Sequence, residues 1–208
     1  MSFKSNLSYA SLLLVLTGIV TPNLILSTAS HVTAQSVWRP FSPPGSGFSI
    51  LMPGTPKEEV KTAQMFINGK IVNIKTHTFF SEREQDGTIY MVSYSDNPAD
   101  DSTLFGSTPE EKVKNSLALI TSLIESGNPG IIQRKQILRL NGHLGIEMKL
   151  AVPDKKSGQA GTLWLRGFSV PRPNNQIRTY QILAISAKEQ SLQRTLDGFF
   201  KSFKLIKI

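Results

Sequence analysis

The sequence predicts an α+β domain: a mostly antiparallel β-sheet with helices packed on both faces, an α/β/α sandwich. Two observations carry this. Two Asn-Gly pairs, Asn68-Gly69 and Asn141-Gly142, each separate two apolar-rich runs, and Asn-Gly suits the positive-φ positions of a two-residue hairpin turn, which joins antiparallel neighbours. Two capping boxes, Thr108-Pro109-Glu110-Glu111 and Ser186-Ala187-Lys188-Glu189, each open an amphipathic stretch, and two such helices need apolar faces to cover.

Residues 1–34 read as a secretory signal peptide. Lys4 supplies a positive start, Leu12 to Val20 an apolar core, and Val32-Thr33-Ala34 small or tolerated residues at the cleavage positions, so cleavage is expected after Ala34. The apolar run is shorter than the ~20 residues of a spanning helix, and Pro22-Asn23 interrupts it. The mature chain is therefore expected outside the cytoplasm, in a periplasm or a thylakoid lumen.

Residues 35–46 carry Pro40, Pro43, Pro44 and Gly45 and read as an extended lead-in, with Trp38 and Phe41 available to tack it down. The domain proper spans 47–208. Gly47 to Pro56 opens it: Phe48, Ile50 and Met52 alternate with Ser49 and Leu51, and Pro53-Gly54 stops the run. A hairpin follows, from about Glu59 to Ile67 and Ile71 to Phe80. Across a two-residue turn Ala63 and Met65 share a face with Ile74 and Val72, while Thr62, Gln64, Asn73, Lys75 and His77 take the other. Thr88 to Tyr94 is a strand with Tyr90, Val92 and Tyr94 on one side.

Thr108 and Glu111 cap a helix in which Val113, Leu117, Ile120 and Ile124 recur at helical spacing, and Gly127 and Pro129 end it. The second hairpin, 131–140 and 143–152, sets Ile137 opposite Ile146, with Leu138 and Leu140 on the other face. Apolar groups on both faces imply a sheet covered on both sides. Strands at 161–170 and 178–185 follow. Behind the second capping box, Leu192, Leu196, Phe199, Phe200 and Phe203 form an apolar stripe. At ~1.5–3 kcal/mol for each large side chain fully buried, this stripe is a strong anchor on the sheet.

The 208 residues carry a net charge of +8, or +7 once Lys4 leaves with the leader, and no cysteine. Disulfides, thiolate metal sites, cysteine nucleophiles and a lipidated cysteine are thereby excluded. About 170 mature residues suffice for a self-supporting core. The basic balance favours acidic partners, and export turns that preference from nucleic acid towards an acidic protein or a membrane surface.

Gly47-Phe48-Ser49-Ile50 running into Pro53, the early hairpin, the mid-chain helix, the antiparallel strands and the terminal Phe199-Phe200-Lys201-Ser202-Phe203 together resemble the PsbP-like group of the PsbP/Mog α/β/α sandwich superfamily, over roughly 41–205. A set of exported cyanobacterial proteins has a similar opening. The resemblance implies an extrinsic lumenal subunit or assembly factor associated with photosystem II. This chain has Gly54-Thr55-Pro56 where that group continues with a tryptophan-containing segment.

No motif for a catalytic elbow, a phosphate loop, a dinucleotide site or a zinc protease is present, and no cofactor or metal site is expected. His77 and His143 read as surface histidines. Asp96, Asn97, Asp100 and Asp101 form an oxygen-rich run with calcium-ligand chemistry but without EF-hand spacing; the alternative is an ordinary polar turn. The remaining candidate is a basic surface of Arg134, Lys135, Arg139, Lys149, Lys155 and Lys156, suited either to docking an acidic partner or to keeping strand edges from aggregating. The leading expectation is a non-enzymatic exported domain that docks on a protein or membrane complex. The alternatives are a small-ligand or lipid-binding module with a cleft between sheet and helix, and a hydrolase with a dispersed site.

Overall fold

The computed structural model describes residues 37–67, 70–83, 85, 87–97, 108, 110–111, 113–115, 117–118, 121, 131–153, 160–173, 176–186 and 193–206. The leader, the Asn68-Gly69 turn, Asp100, Asp101, Lys155, Lys156 and most of the second capping box lie outside them. So do Ile120, Ile124, Gly127, Pro129 and Leu192.

Ten strands organise the described residues. They are β1 (Trp38–Phe41), β2 (Phe48–Pro53), β3 (Lys57–Ile67), β4 (Lys70–Arg83), β5 (Thr88–Asn97), β6 (Ile131–Leu140), β7 (His143–Pro153), β8 (Ala160–Pro171), β9 (Ile177–Ser186) and β10 (Lys204–Leu205). A terminal helix, Gln193–Ser202, precedes β10. Seven strands form one antiparallel sheet in the order β3-β4-β5-β9-β8-β7-β6, and the other three form a second sheet, β1-β2-β10.

Both hairpin registers follow from the sequence pattern. Ala63 pairs with Ile74 and Met65 with Val72; Ile137 pairs with Ile146 and Leu140 with His143. Asn141 and Gly142 hold φ of 50° and 84°, the left-handed pair that a two-residue turn demands. At the mid-chain helical start the Glu111 amide donates to Thr108 Oγ1 and the Thr108 amide to Glu111 Oε2, each at 3.2 Å. This is the reciprocal closure expected of a capping box.

The sandwich with helices on both faces is corrected. The described residues are mostly antiparallel strand, with two short helical pieces. The two capping boxes predict helices as the cover of both sheet faces. Instead β2 pairs with β1 and β10, and this small sheet shares the covering of one face with the terminal helix. Phe48, Ile50 and Met52 are completely or almost completely buried there, against Phe79, Tyr90, Val92, Tyr180 and Ile182 of the main sheet and Leu196, Phe199 and Phe203. The lead-in is part of this layer: the Trp38 ring stands edge-on to Tyr90 at 5.0 Å and Phe41 edge-on to Phe79 at 5.1 Å, geometries that suit the ring quadrupole. Ser202 Oγ accepts from the Leu51 amide at 2.9 Å and donates to the Phe199 carbonyl, linking the helix end to β2.

The opposite face carries a second cluster of Met91, Ile146, Met148, Leu150, Leu163, Leu165 and Leu183, joined by Val113 and Leu117. That cover is incomplete at the sheet margin, where Ile132 of β6 still packs against it. Ile137 is 77 % exposed although its partner Ile146 is buried, so the expectation of apolar cover on both faces fails at that position of β6. Leu138 and Leu140 do pack inward, against the first cluster.

Candidate functional site

The basic hairpin β6–β7 lies at one side of the main sheet, with β6 outermost among the described strands. Side chains of paired residues share a face, and successive residues alternate. Arg134 pairs directly with Lys149, and Lys149 with Trp164 of β8. Both cations therefore occupy the face of Trp164, a residue packed on the first cluster. Like charges directly opposite repel. Two contacts offset this: Lys149 Nζ stands over the Trp164 ring, 5.7 Å from its centroid, and Arg134 donates to Gln136 Oε1 at 2.7 Å.

Lys135 and Arg139 take the other face, because their partners are Met148 and Leu144 of the second cluster. Arg139 donates to the Gly142 carbonyl at 3.0 Å, which holds it over the turn. The four cations on described residues thus divide into two pairs around one outermost strand rather than forming one flat patch. Lys155 and Lys156 fall outside the described residues.

Beside this hairpin a cleft of about 180 Å³ is lined by Gln136, Leu138, Glu147, Arg166, Phe168 and Phe200, among others. Its polar groups already satisfy one another. Glu147 accepts from Arg166 Nε at 2.6 Å and from Gln136 Nε2 at 2.7 Å, and the Arg166 guanidinium lies 4.9 Å from the Phe200 ring centroid. The cleft sits between sheet and helix, where a ligand pocket was expected. It is smaller than the roughly 300–1,000 Å³ of small-molecule sites.

The other end of the same sheet face carries a group that sequence reasoning missed. Asp96 accepts from Arg178 Nε and Nη2, both at 2.6 Å. Arg178 also donates to the carbonyls of Gly45 and Ser46 and lies over the Tyr94 ring at 4.7 Å. Its hydrogen bond with Asp96 raises its pKa beyond the ordinary arginine value, against the opposing effect of burial. Burial also raises the Tyr94 and Tyr180 phenols, with Arg178 pulling each back. Both carboxylate oxygens of Asp96 are thus engaged by Arg178. Among the described residues no cluster of metal-ligating side chains occurs.

His77 and His143 are not brought together. They lie on β4 and β7, four strand spacings apart in the sheet, or about 19 Å. His77 is no plain surface histidine: its ring stacks on Tyr94 at 4.8 Å, and Nδ1 is 3.0 Å from Glu58 Oε1. The signal available in the sequence was the run of Phe79, Tyr94 and Tyr180 on inward positions, which places aromatic rings beside His77 once the strand order is known.

No family model matches the sequence, and no curated protein matches it. Solved structures do. The chain is similar to the solution structure of cyanobacterial PsbP (CyanoP) from Synechocystis sp. PCC 6803, at 14 % identity over 86 % of this chain and 98 % of that one, with a TM-score of 0.47. It is also similar to LpqN of Mycobacterium tuberculosis, a protein involved in cell envelope biogenesis. The identity there is 10 % over 75 % of this chain and 87 % of that one, with a TM-score of 0.43. Protein PA94 of Pseudomonas aeruginosa matches at 10 % identity over 59 % of this chain and 81 % of that one, with a TM-score of 0.35. No helix among the described residues is long and apolar enough to cross a membrane.

Proposed function

We propose that this chain is an exported, non-enzymatic domain that docks on the acidic surface of a protein or membrane complex, as an extrinsic or assembly factor associated with photosystem II. The observation that carries the docking reading is the display of Arg134 and Lys149 on one face, and Lys135 and Arg139 on the other, of one outermost hairpin. Four cations on an outermost hairpin set up a field that steers an acidic partner and fixes its orientation. The leader-like start and the net charge of the mature chain support the same reading. The photosystem assignment rests on the sequence resemblance, from Gly47-Phe48-Ser49-Ile50 to the terminal phenylalanines.

The test is a salt-wash fractionation of native membranes, followed by size analysis of the gently solubilised fraction. The expected result is a membrane-bound protein released by moderate salt, because screening shortens the reach of surface charge to about 8 Å at physiological ionic strength. Before release it migrates with a large complex. The Arg134→Glu, Lys149→Glu double variant is expected in the wash at lower salt, and adding Lys155→Glu and Lys156→Glu lowers the threshold further. Retention of the fourfold variant at high salt overturns electrostatic docking. A monomer-sized protein at every salt concentration overturns docking altogether.

A further inference from the structure

We infer that the outer edge of β6 takes an extended acidic segment of a partner protein as an added β-strand. The inference rests on the docking reading above and names its mode. Ile131–Leu140 pairs with β7 on one side, and among the described residues no strand pairs with the other. An edge strand turns alternate backbone N–H and C=O groups outward, which is a template for another strand. At ten residues β6 is long for an edge; edges kept from pairing are usually short, bulged, proline-bearing or charged, and the cations of β6 repel a basic strand while they attract an acidic one. Its bulge lies near one end, between Ile132 and Arg134, and leaves 134–140 in regular register.

The chemistry of the occupant follows from the side chains. Lys135, Ile137 and Arg139 fall on one face in the order cation, apolar, cation, and Ile137 is 77 % exposed. A strand alternating acidic and branched apolar residues on that face would set a carboxylate beside each cation and an apolar group beside Ile137. Opposite-charge and apolar cross-strand pairs are the stabilising ones. A second copy of this chain fits poorly. Antiparallel self-pairing that stacks Ile137 on its own copy would place Lys135 directly opposite Arg139.

The test uses the full chain and two synthetic probes. One is a peptide of roughly eight residues, about the length of an ordinary strand, in which glutamate and valine alternate at every second position with threonine between them, so that the carboxylates and the valines share one face. The other is the same peptide N-methylated throughout, which keeps the charge and removes every amide donor. Calorimetry reads affinity, and hydrogen exchange reads protection of residues 131–140. The unmethylated peptide is expected to bind with slowed exchange at alternate β6 amides, and the methylated one at least about tenfold more weakly, since several backbone hydrogen bonds are lost. The exposed-site double variant Lys135→Glu, Arg139→Glu is expected to lose binding by a similar factor. Equal affinity of the two peptides, or binding without protection in β6, overturns strand addition while salt-sensitive docking on membranes stands. Failure of both peptides to bind overturns it too. Self-association that the peptide competes away would assign the edge to a second copy and overturn the acidic segment.

Discussion

Arg178 and Asp96 face each other across β9 and β5, joined by two parallel hydrogen bonds of 2.6 Å. The fork geometry matches guanidinium to carboxylate. The third guanidinium nitrogen reaches the Gly45 and Ser46 carbonyls, and Tyr180 Oη donates to Ser46 O at 3.0 Å. The pair therefore does more than join two strands. It fastens the turn that delivers β2 onto the main sheet.

Asp96→Ala is expected to destabilise the protein by about 2–3 kcal/mol. Breaking a buried pair costs ~3–5 kcal/mol because one charge stays uncompensated, and the 39 % exposure of the Asp96 side chain against 8 % for Arg178 lowers that figure. Urea unfolding measures it. Pairing the substitution with Arg178→Leu should recover part of the loss, and strictly additive losses would show that the two side chains are not coupled.

Alkaline pH should weaken the fold through Tyr180. Burial raises its folded-state pKa above 10, so above the unfolded value the native state holds a proton that the unfolded chain has released. The stabilising contribution is complete below pH 10 and is lost as pH rises through the folded pKa. Tyr180→Phe should flatten the decline of urea midpoints above pH 10. It should also cost about 1 kcal/mol at neutral pH, for the lost hydrogen bond to Ser46. An unchanged alkaline slope would exclude Tyr180 as its source.

Gly145 admits no side chain. A Cβ there would lie 2.5 Å from Phe168 Cδ1 and 2.7 Å from the Gly167 carbonyl oxygen. Phe168 has little room to yield, since it stacks on Phe203 at 5.8 Å with ring planes 6° apart. Gly145→Ala should cost about 1–3 kcal/mol, the range for overpacking, read as a lowered thermal midpoint. Phe168→Leu in the same background should restore part of it; a wild-type midpoint in the single variant would contradict the close approach.

Trp38→Ala should release the lead-in. The indole contacts Tyr90 and, at 6.1 Å, Phe199, and truncating a half-buried tryptophan is expected to cost about 3 kcal/mol. Limited proteolysis should then cut within residues 37–46 at protein concentrations where the wild type resists. Equal resistance would show that β1 is held by its backbone pairing alone.

Local signals in the sequence carried most of the elements. Asn141-Gly142 marked its turn and register because two positive-φ positions leave few other choices, and Thr108 with Glu111 marked a helix start for a similarly local reason. The arrangement of layers was less legible. Phe48, Ile50 and Met52 announce a strand but not its partners, and those partners, in β1 and β10, lie on opposite sides of it in sequence. Trp38–Phe41 looked like a lead-in because Pro40 argues against a strand interior, yet β1 is an edge strand, where proline is tolerated. Among the site residues, the alternation of β6 already implied that Arg134 and Lys135 diverge. Nothing short of the β5–β9 pairing could have brought Asp96 to Arg178.

The position of β2 between β1 and β10 has a temporal consequence. Leu205 pairs with Phe48, and Phe41 with Ile50, so the small sheet closes only when segments more than 150 positions apart in the chain have both arrived. Contacts of such long sequence separation form late, because their loop entropy is lost before they return any energy. The hairpins of the main sheet join near neighbours and can form first, so the small sheet acts as a clasp that shuts last and opens first.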